Sequence, residues 1–197
     1  MERTRRTLSV IAALGIVMPL AACNGDPESA PPLSNSASPS PSPSRTSTPS
    51  ETPKPTPPAI PPAATTGLTV TSADAFARFY LAAVDYLVAT GDARLVRQWA
   101  EKGCASCNAL AGKYERMYRA GGYVSGNTLT QVLKVTQVNL IGRDTAAVLI
   151  RAHEDPQVER VRAGAKPTAY PAQTFSWDLT LAAAQGHWTM FEMELKP

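Results

Sequence analysis

Three cysteines carry the chemistry whose spacing is clearest. Cys23 closes the run Leu20-Ala21-Ala22-Cys23. Small residues at 21 and 22 suit a peptidase pocket, so cleavage between Ala22 and Cys23 would expose a thiol that takes lipid. Cys104 and Cys107 then remain as a pair, which an oxidising compartment joins in a disulfide. Loop entropy for so short a loop contributes only about 2 kcal/mol, which makes it a local staple. A redox Cys-x-x-Cys is the alternative, since a helix N-terminus lowers a thiol's pKa. Against that, the motif joins two expected helices with no strand before it, and Cys107 falls on an apolar stripe. His153 and His187 lie far outside zinc-finger spacing. His153-Glu154-Asp155 has the make-up of a base with acidic neighbours, yet beside Pro156 it reads as a turn. Asp85, at about 100° per helical residue, points roughly 160° from the middle of its helix's apolar stripe and is expected to face solvent. Tyr80 lies in that stripe and Tyr86 on its flank, as core or rim aromatics. No Gly-rich phosphate loop, Gly-x-Ser-x-Gly or His-Glu-x-x-His occurs. Catalytic, cofactor and metal residues are therefore expected to be none.

The segments around Cys23 say where such a thiol would work. Arg3, Arg5 and Arg6 precede an apolar stretch from Leu8 to Ala22, broken by Ser9, Gly15 and Pro19. The stretch is shorter than the roughly 20 residues that a spanning helix needs. Residues 1–22 thus read as the signal peptide of a bacterial lipoprotein. Thr4-Arg5-Arg6-Thr7-Leu8 also resembles a twin-arginine signal, so export through either Sec or Tat is open. Each buried methylene contributes about 0.8 kcal/mol and one chain holds only marginally, but two or three, palmitate among them, hold durably. Residues 23–66 are the lipidated cysteine and a tether. From Asn24 to Thr66 this tether holds 13 of the chain's 18 prolines. Leu33 and Ile60 are its only large apolar residues, too few to offset ordering entropy. Alternation such as Ser38-Pro39-Ser40-Pro41 favours polyproline II, which stretched over this length reaches roughly 130 Å.

The rest, residues 67–197, is enough for one α+β domain with its own core. It holds 14 Lys and Arg against 12 Asp and Glu, a balance of +2 with no basic patch, so nucleic acid is not an expected partner. Thr71 and Asp74 have capping-box spacing. Phe76, Phe79, Tyr80, Ala83, Val84, Leu87 and Val88 then recur with helical period. Gly91 ends that helix. A shorter one carrying Leu95, Val96 and Trp99 runs to near Gly103, and a third carries Cys107, Leu110, Tyr114, Met117 and Tyr118 up to Gly121-Gly122. Glu115 and Arg119 read as a solvated pair. Beyond Leu129 the period becomes two, through Leu129–Ile141, Thr145–His153, Phe175–Leu181 and Trp188–Leu195. Ala184-Gln185-Gly186 makes the last hairpin. Three helices packed on an antiparallel sheet of four or five strands are the expectation. The stretch from Asp155 to Gln173, with Arg160, Arg162 and Lys166, reads as a long strand connection.

The run Phe76…Phe79-Tyr80…Tyr86…Thr90-Gly91-Asp92, with Cys104-x-x-Cys107 and Tyr118…Gly121-Gly122, resembles an uncharacterised family of actinomycete lipoproteins, domain-of-unknown-function family 6318. That resemblance brings no activity. The order of helices then curved sheet resembles the NTF2-like (SnoaL-like, cystatin-like) cone, with one departure: no clear strand separates the early helices. Some such cones are isomerases or dehydratases, but none of their catalytic residues has a match here. The resulting expectation is a lipid-anchored protein on the outer face of the cell membrane that presents a non-catalytic binding module. Its partners would be the membrane, a small ligand, or a wall or envelope protein. The alternatives are an enzyme with a polar pocket and a redox protein.

Overall fold

The computed structural model describes residues 55–196. The leader, Ala22, Cys23 and the tether as far as Lys54 lie outside them. Four helices come first: α1 Pro62–Thr65, α2 Val70–Thr90, α3 Arg94–Gln98 and α4 Ala105–Arg119. Seven strands follow: β1 Tyr123–Gly126, β2 Gln131–Ile141, β3 Thr145–Glu154, β4 Gln157–Arg160, β5 Thr168–Tyr170, β6 Gln173–Ala184 and β7 His187–Lys196. The α+β expectation holds, with strands in the four places where alternation put them.

α2 is the central element. Its capping box is formed by Thr69 and Ser72, not by Thr71 and Asp74: the Ser72 amide donates to Thr69 Oγ1 at 3.1 Å and the Thr69 amide to Ser72 Oγ at 2.9 Å. Asp74 instead pairs with Arg78 one turn on. The Ser72 hydroxyl also accepts from Trp188 Nε1 at 2.9 Å, which ties the start of the helix to β7. Phe76, Tyr80 and Leu87 meet Val148 and Ile150 of β3, Leu179 and Leu181 of β6, and Trp188 and Met190 of β7 in one core. The space between α2 and this sheet is filled by side chains.

β2-β3-β6-β7 form an antiparallel sheet in that order. Register shifts interrupt β2 twice and the β6–β7 pairing once. Such bulges bend a strand and add twist, which curves the sheet around α2. α3 stops at Gln98 rather than near Gly103, because the chain turns to pair with β7. Met190 donates its amide to the Trp99 carbonyl and accepts from Glu101, both at 2.8 Å. A second sheet, β1-β4-β5, was not expected. Two of its strands lie in the Asp155–Gln173 segment and have only four and three residues, too short for alternation to register. Two further expectations also change. Glu115 pairs with Arg97 of α3 at 2.7 Å instead of with Arg119. The folded part begins before Gly67: Ala64 of α1 is fully buried and Ile60 packs against the core.

Candidate functional site

β3 ends where Pro156, lacking an N–H, cannot continue a ladder. The chain crosses there from the large sheet to the small one, and the crossing opens a cleft of about 290 Å³ beside α2 and α4. Glu154 and Asp155 reach it from the crossing, Glu159 from β4, Lys113 and Tyr114 from α4, and Trp177 from β6. Lys113 Nζ donates to Glu159 Oε2 at 2.8 Å and sits 4.8 Å from the centre of the Tyr114 ring. Glu159 is only 8% exposed, so this pair is its chief compensation for burial. Glu154 and Asp155 take their hydrogen bonds from amides, and Asp155 also lies 3.7 Å from His153 Nε2. Gln173 Nε2 donates to Glu154 at 3.3 Å; Asn127 Nδ2 and Gln131 Nε2 donate to Asp155 at 2.6 and 3.1 Å. The cleft thus holds three carboxylates against one ammonium.

Burial works against the charge on Lys113, but its hydrogen bond to Glu159 and the charges of Tyr114 and Glu159 outweigh that, and its pKa lies above the usual lysine value. Burial pushes the Tyr114 phenol up as well. At neutral pH the lysine is a fixed cation and the tyrosine a neutral hydroxyl.

Next to the cleft, a second hollow of about 420 Å³ lies between α4 and β7. Leu110, Lys113, Trp177 and Leu195 line both spaces, while Ser106, Ala109 and Met193 complete the second, which is almost wholly apolar. The indole Nε1 of Trp177 is buried and has no acceptor among the described residues.

The residues singled out from sequence are distributed widely. Cys104 and Cys107 form a disulfide, both about 1% exposed, at the start of α4. Tyr80 is buried in the core, donating to the Val96 carbonyl at 3.3 Å. His153 meets Thr174 at the start of β6, whereas His187 lies against Trp99 beyond its end. The length of β6 therefore separates the histidines by roughly 30 Å. Among the described residues no group of three or more metal-ligating side chains occurs. Arg160 packs on the Tyr123 ring.

Asp85 overturns its expectation: it is 7% exposed. The chain entering β2 covers the side of α2 opposite its apolar stripe, and Thr130 donates both its amide and its hydroxyl to Asp85, at 2.9 and 2.6 Å. Burial raises the Asp85 pKa to about 6, partly offset by these two bonds. Asp85 borders a separate groove of about 390 Å³. With Thr130 on both its oxygens, it clamps helix to strand. The cleft residues Lys113, Tyr114, Glu159 and Trp177 were not visible as a set. Lys113 and Glu159 are 46 positions apart, and each alone is an ordinary charged residue.

A profile of a family of unknown function (DUF6318) matches residues 42–194. The chain belongs to the DUF6318 family. The match begins within the proline-rich segment and runs almost to the end of β7. No curated protein matches the sequence. The intermembrane space region of the chloroplast protein ARC6 is similar in structure, with TM-score 0.53 and 9% identity over 65% of this chain and 96% of that one. At that identity the likeness is one of fold. An NTF2-like protein with a cystatin-like fold from Novosphingobium aromaticivorans aligns with TM-score 0.37 and 14% identity, over 60% of this chain and 77% of that one.

Proposed function

We propose that this DUF6318 protein is a lipid-anchored envelope protein that presents a non-catalytic binding module on the outer side of the membrane, with its ligand taken in the cleft beside α4. The basic and apolar leader, the Leu20–Cys23 run and the proline-rich tether support the anchor. One observation carries the non-catalytic reading: the two cleft groups with shifted pKa values are both shifted away from neutrality. A general acid or base works best with a pKa near ambient pH. Lys113 and Tyr114 move the other way, each toward holding its proton. Such groups fix charge and shape, which is what a binding site needs. The Cys104–Cys107 disulfide, with both sulfurs buried, acts as a staple of α4 rather than as an exchange site.

The anchor is tested by expressing the full chain and a Cys23→Ala variant in a bacterium that processes lipoproteins. The expected result is fatty-acid labelling and membrane fractionation of the first, with both lost in the second. A variant that still labels and sediments with membranes overturns the anchor.

A further inference from the structure

The two hollows meet along the free part of a sheet edge. β7 is the last strand of its sheet, and Met190 uses its outward amide and carbonyl on Trp99 and Glu101. Met193 turns its amide outward to Ser106 Oγ at 3.1 Å. In an antiparallel ladder, outward and inward residues alternate. Leu195, two residues on and opposite Trp177 in β6, therefore also directs its N–H and C=O outward, with no partner among the described residues. Natural sheets usually cover or blunt such an edge. Here it opens beside an apolar hollow and the acidic cleft that adjoins it, with the unpaired Trp177 N–H in their shared wall.

We propose that this edge and its two hollows form one groove for an extended peptide segment of a partner protein, carrying a basic and an apolar side chain two positions apart. The inference rests on the binding reading above and names its ligand. The segment adds a strand outside β7 from Met193 to Lys196 and exchanges main-chain hydrogen bonds with Leu195. Side chains two positions apart on a strand share a face and lie roughly 7 Å apart, enough to enter adjoining hollows. The apolar side chain enters the space between Ala109, Leu110 and Met193. The lysyl or arginyl side chain enters the cleft, where Glu154 has no basic partner, Asp155 has only His153 at 3.7 Å, and Trp177 offers an aromatic face. A carbonyl of the segment gives Trp177 Nε1 the acceptor it lacks. Lys113 is already held by Glu159 and so offers an incoming carboxylate no free cation, while Glu154 and Asp155 repel it.

The test uses the mature chain from residue 23 onward, carrying Cys23→Ser so that it stays soluble. Acetyl-Ala-Leu-Ala-Arg-Ala-amide is titrated by calorimetry and tryptophan fluorescence. Its Glu-for-Arg counterpart, a version N-methylated along the backbone, and arginine amide alone are titrated beside it. The expected result is saturable binding of the Arg peptide, at least tenfold tighter than each of the other three. Glu154→Gln with Asp155→Asn, chosen as isosteric and checked by melting temperature, should remove most of the preference for Arg over Glu. Equal binding of the Arg and Glu peptides overturns the ligand class while leaving a binding cleft. Equal binding of arginine amide and the peptide overturns the strand-addition geometry in favour of a small organic cation. No binding by any probe overturns the groove. The anchor is read separately by the Cys23→Ala fractionation, so its failure and that of the groove are distinguishable.

Discussion

Asp85 is where a single side chain shapes the stability of the whole domain. The fold raises its pKa from 3.8 to about 6, chiefly through burial. Between those values the folded state holds a proton that the unfolded state has released, so stability falls as pH rises across this interval. Above pH 6 the loss is complete, about 3 kcal/mol for a shift of this size. In Asp85→Asn the amide oxygen still accepts from the Thr130 N–H, and Oγ1 of Thr130 becomes an acceptor for the new amine. The variant should therefore melt higher than wild type at pH 7.5 and no differently at pH 3.5. The half-buried Asp92 and Glu115, held low by Arg94 and Arg97, tilt both profiles alike and cancel in the difference. Parallel profiles for the two proteins would show that Asp85 carries no such load. Gly91 makes a second case. Its φ of +74° ends α2, and an added Cβ would lie 2.6 Å from the Tyr118 side chain. Tyr118 is fixed there by its hydroxyl, which donates to the Val88 carbonyl at 2.8 Å. Gly91→Ala should cost about 2 kcal/mol or more in chemical denaturation, from the left-handed backbone and the clash together. In a Tyr118→Gly background the same change should cost distinctly less, because the Cβ and ring carbons that the added methyl meets are gone and only the backbone contribution remains.

At the scale of elements, the segment before α2 acts as a strap. Ala64 is fully buried, Ile60 packs on the core, and Thr65 and Thr66 return hydroxyl hydrogen bonds to the Pro62 carbonyl. A chain that starts at Gly67 should still fold but lose about 2–3 kcal/mol relative to one that starts at Ser50, the contribution of burying one aliphatic side chain and a methyl group. Denaturant midpoints of the two chains measure it. The disulfide is a comparable staple: Cys104→Ser with Cys107→Ser should cost about 2 kcal/mol and leave the fold intact. These cases mark what periodicity makes legible. α2, α4 and the four long strands each repeat an apolar position often enough to reveal their type, and all were readable. Ile60 and Ala64 sit in a proline-rich context whose composition argues for disorder, so their burial depends on α2 and β7 being in place. β4 is held by pairing with β1, a contact distant in sequence, and β5 in turn by pairing with β4. Asp85 was misplaced for a related reason. A helical wheel has one apolar side, whereas α2 is covered on a second side by the chain leading into β2, as the Thr130 bonds attest. The cleft is farther still from local pattern, since its residues come from α4, β3, β4 and β6.

For the whole molecule, the strap shortens the proposed spacer. Counting from Asn24 to Lys54, 31 residues remain ahead of the described part, which as polyproline II would span roughly 95 Å rather than 130 Å. On the proposed anchorage this length sets how far the peptide groove stands from the lipid. Deleting residues 30–50 separates spacing from folding. Ten residues would then be left, a reach of roughly 30 Å. The melting temperature should not change, because Ile60, Ala64 and the core they pack on are retained. In intact cells with a thick wall, by contrast, an antibody against the domain should lose most of its access, although fatty-acid labelling at Cys23 persists. A lowered melting temperature would mean that residues 30–50 contribute to the fold. Undiminished antibody access would mean that the proline-rich run serves something other than distance, despite a composition that favours extension.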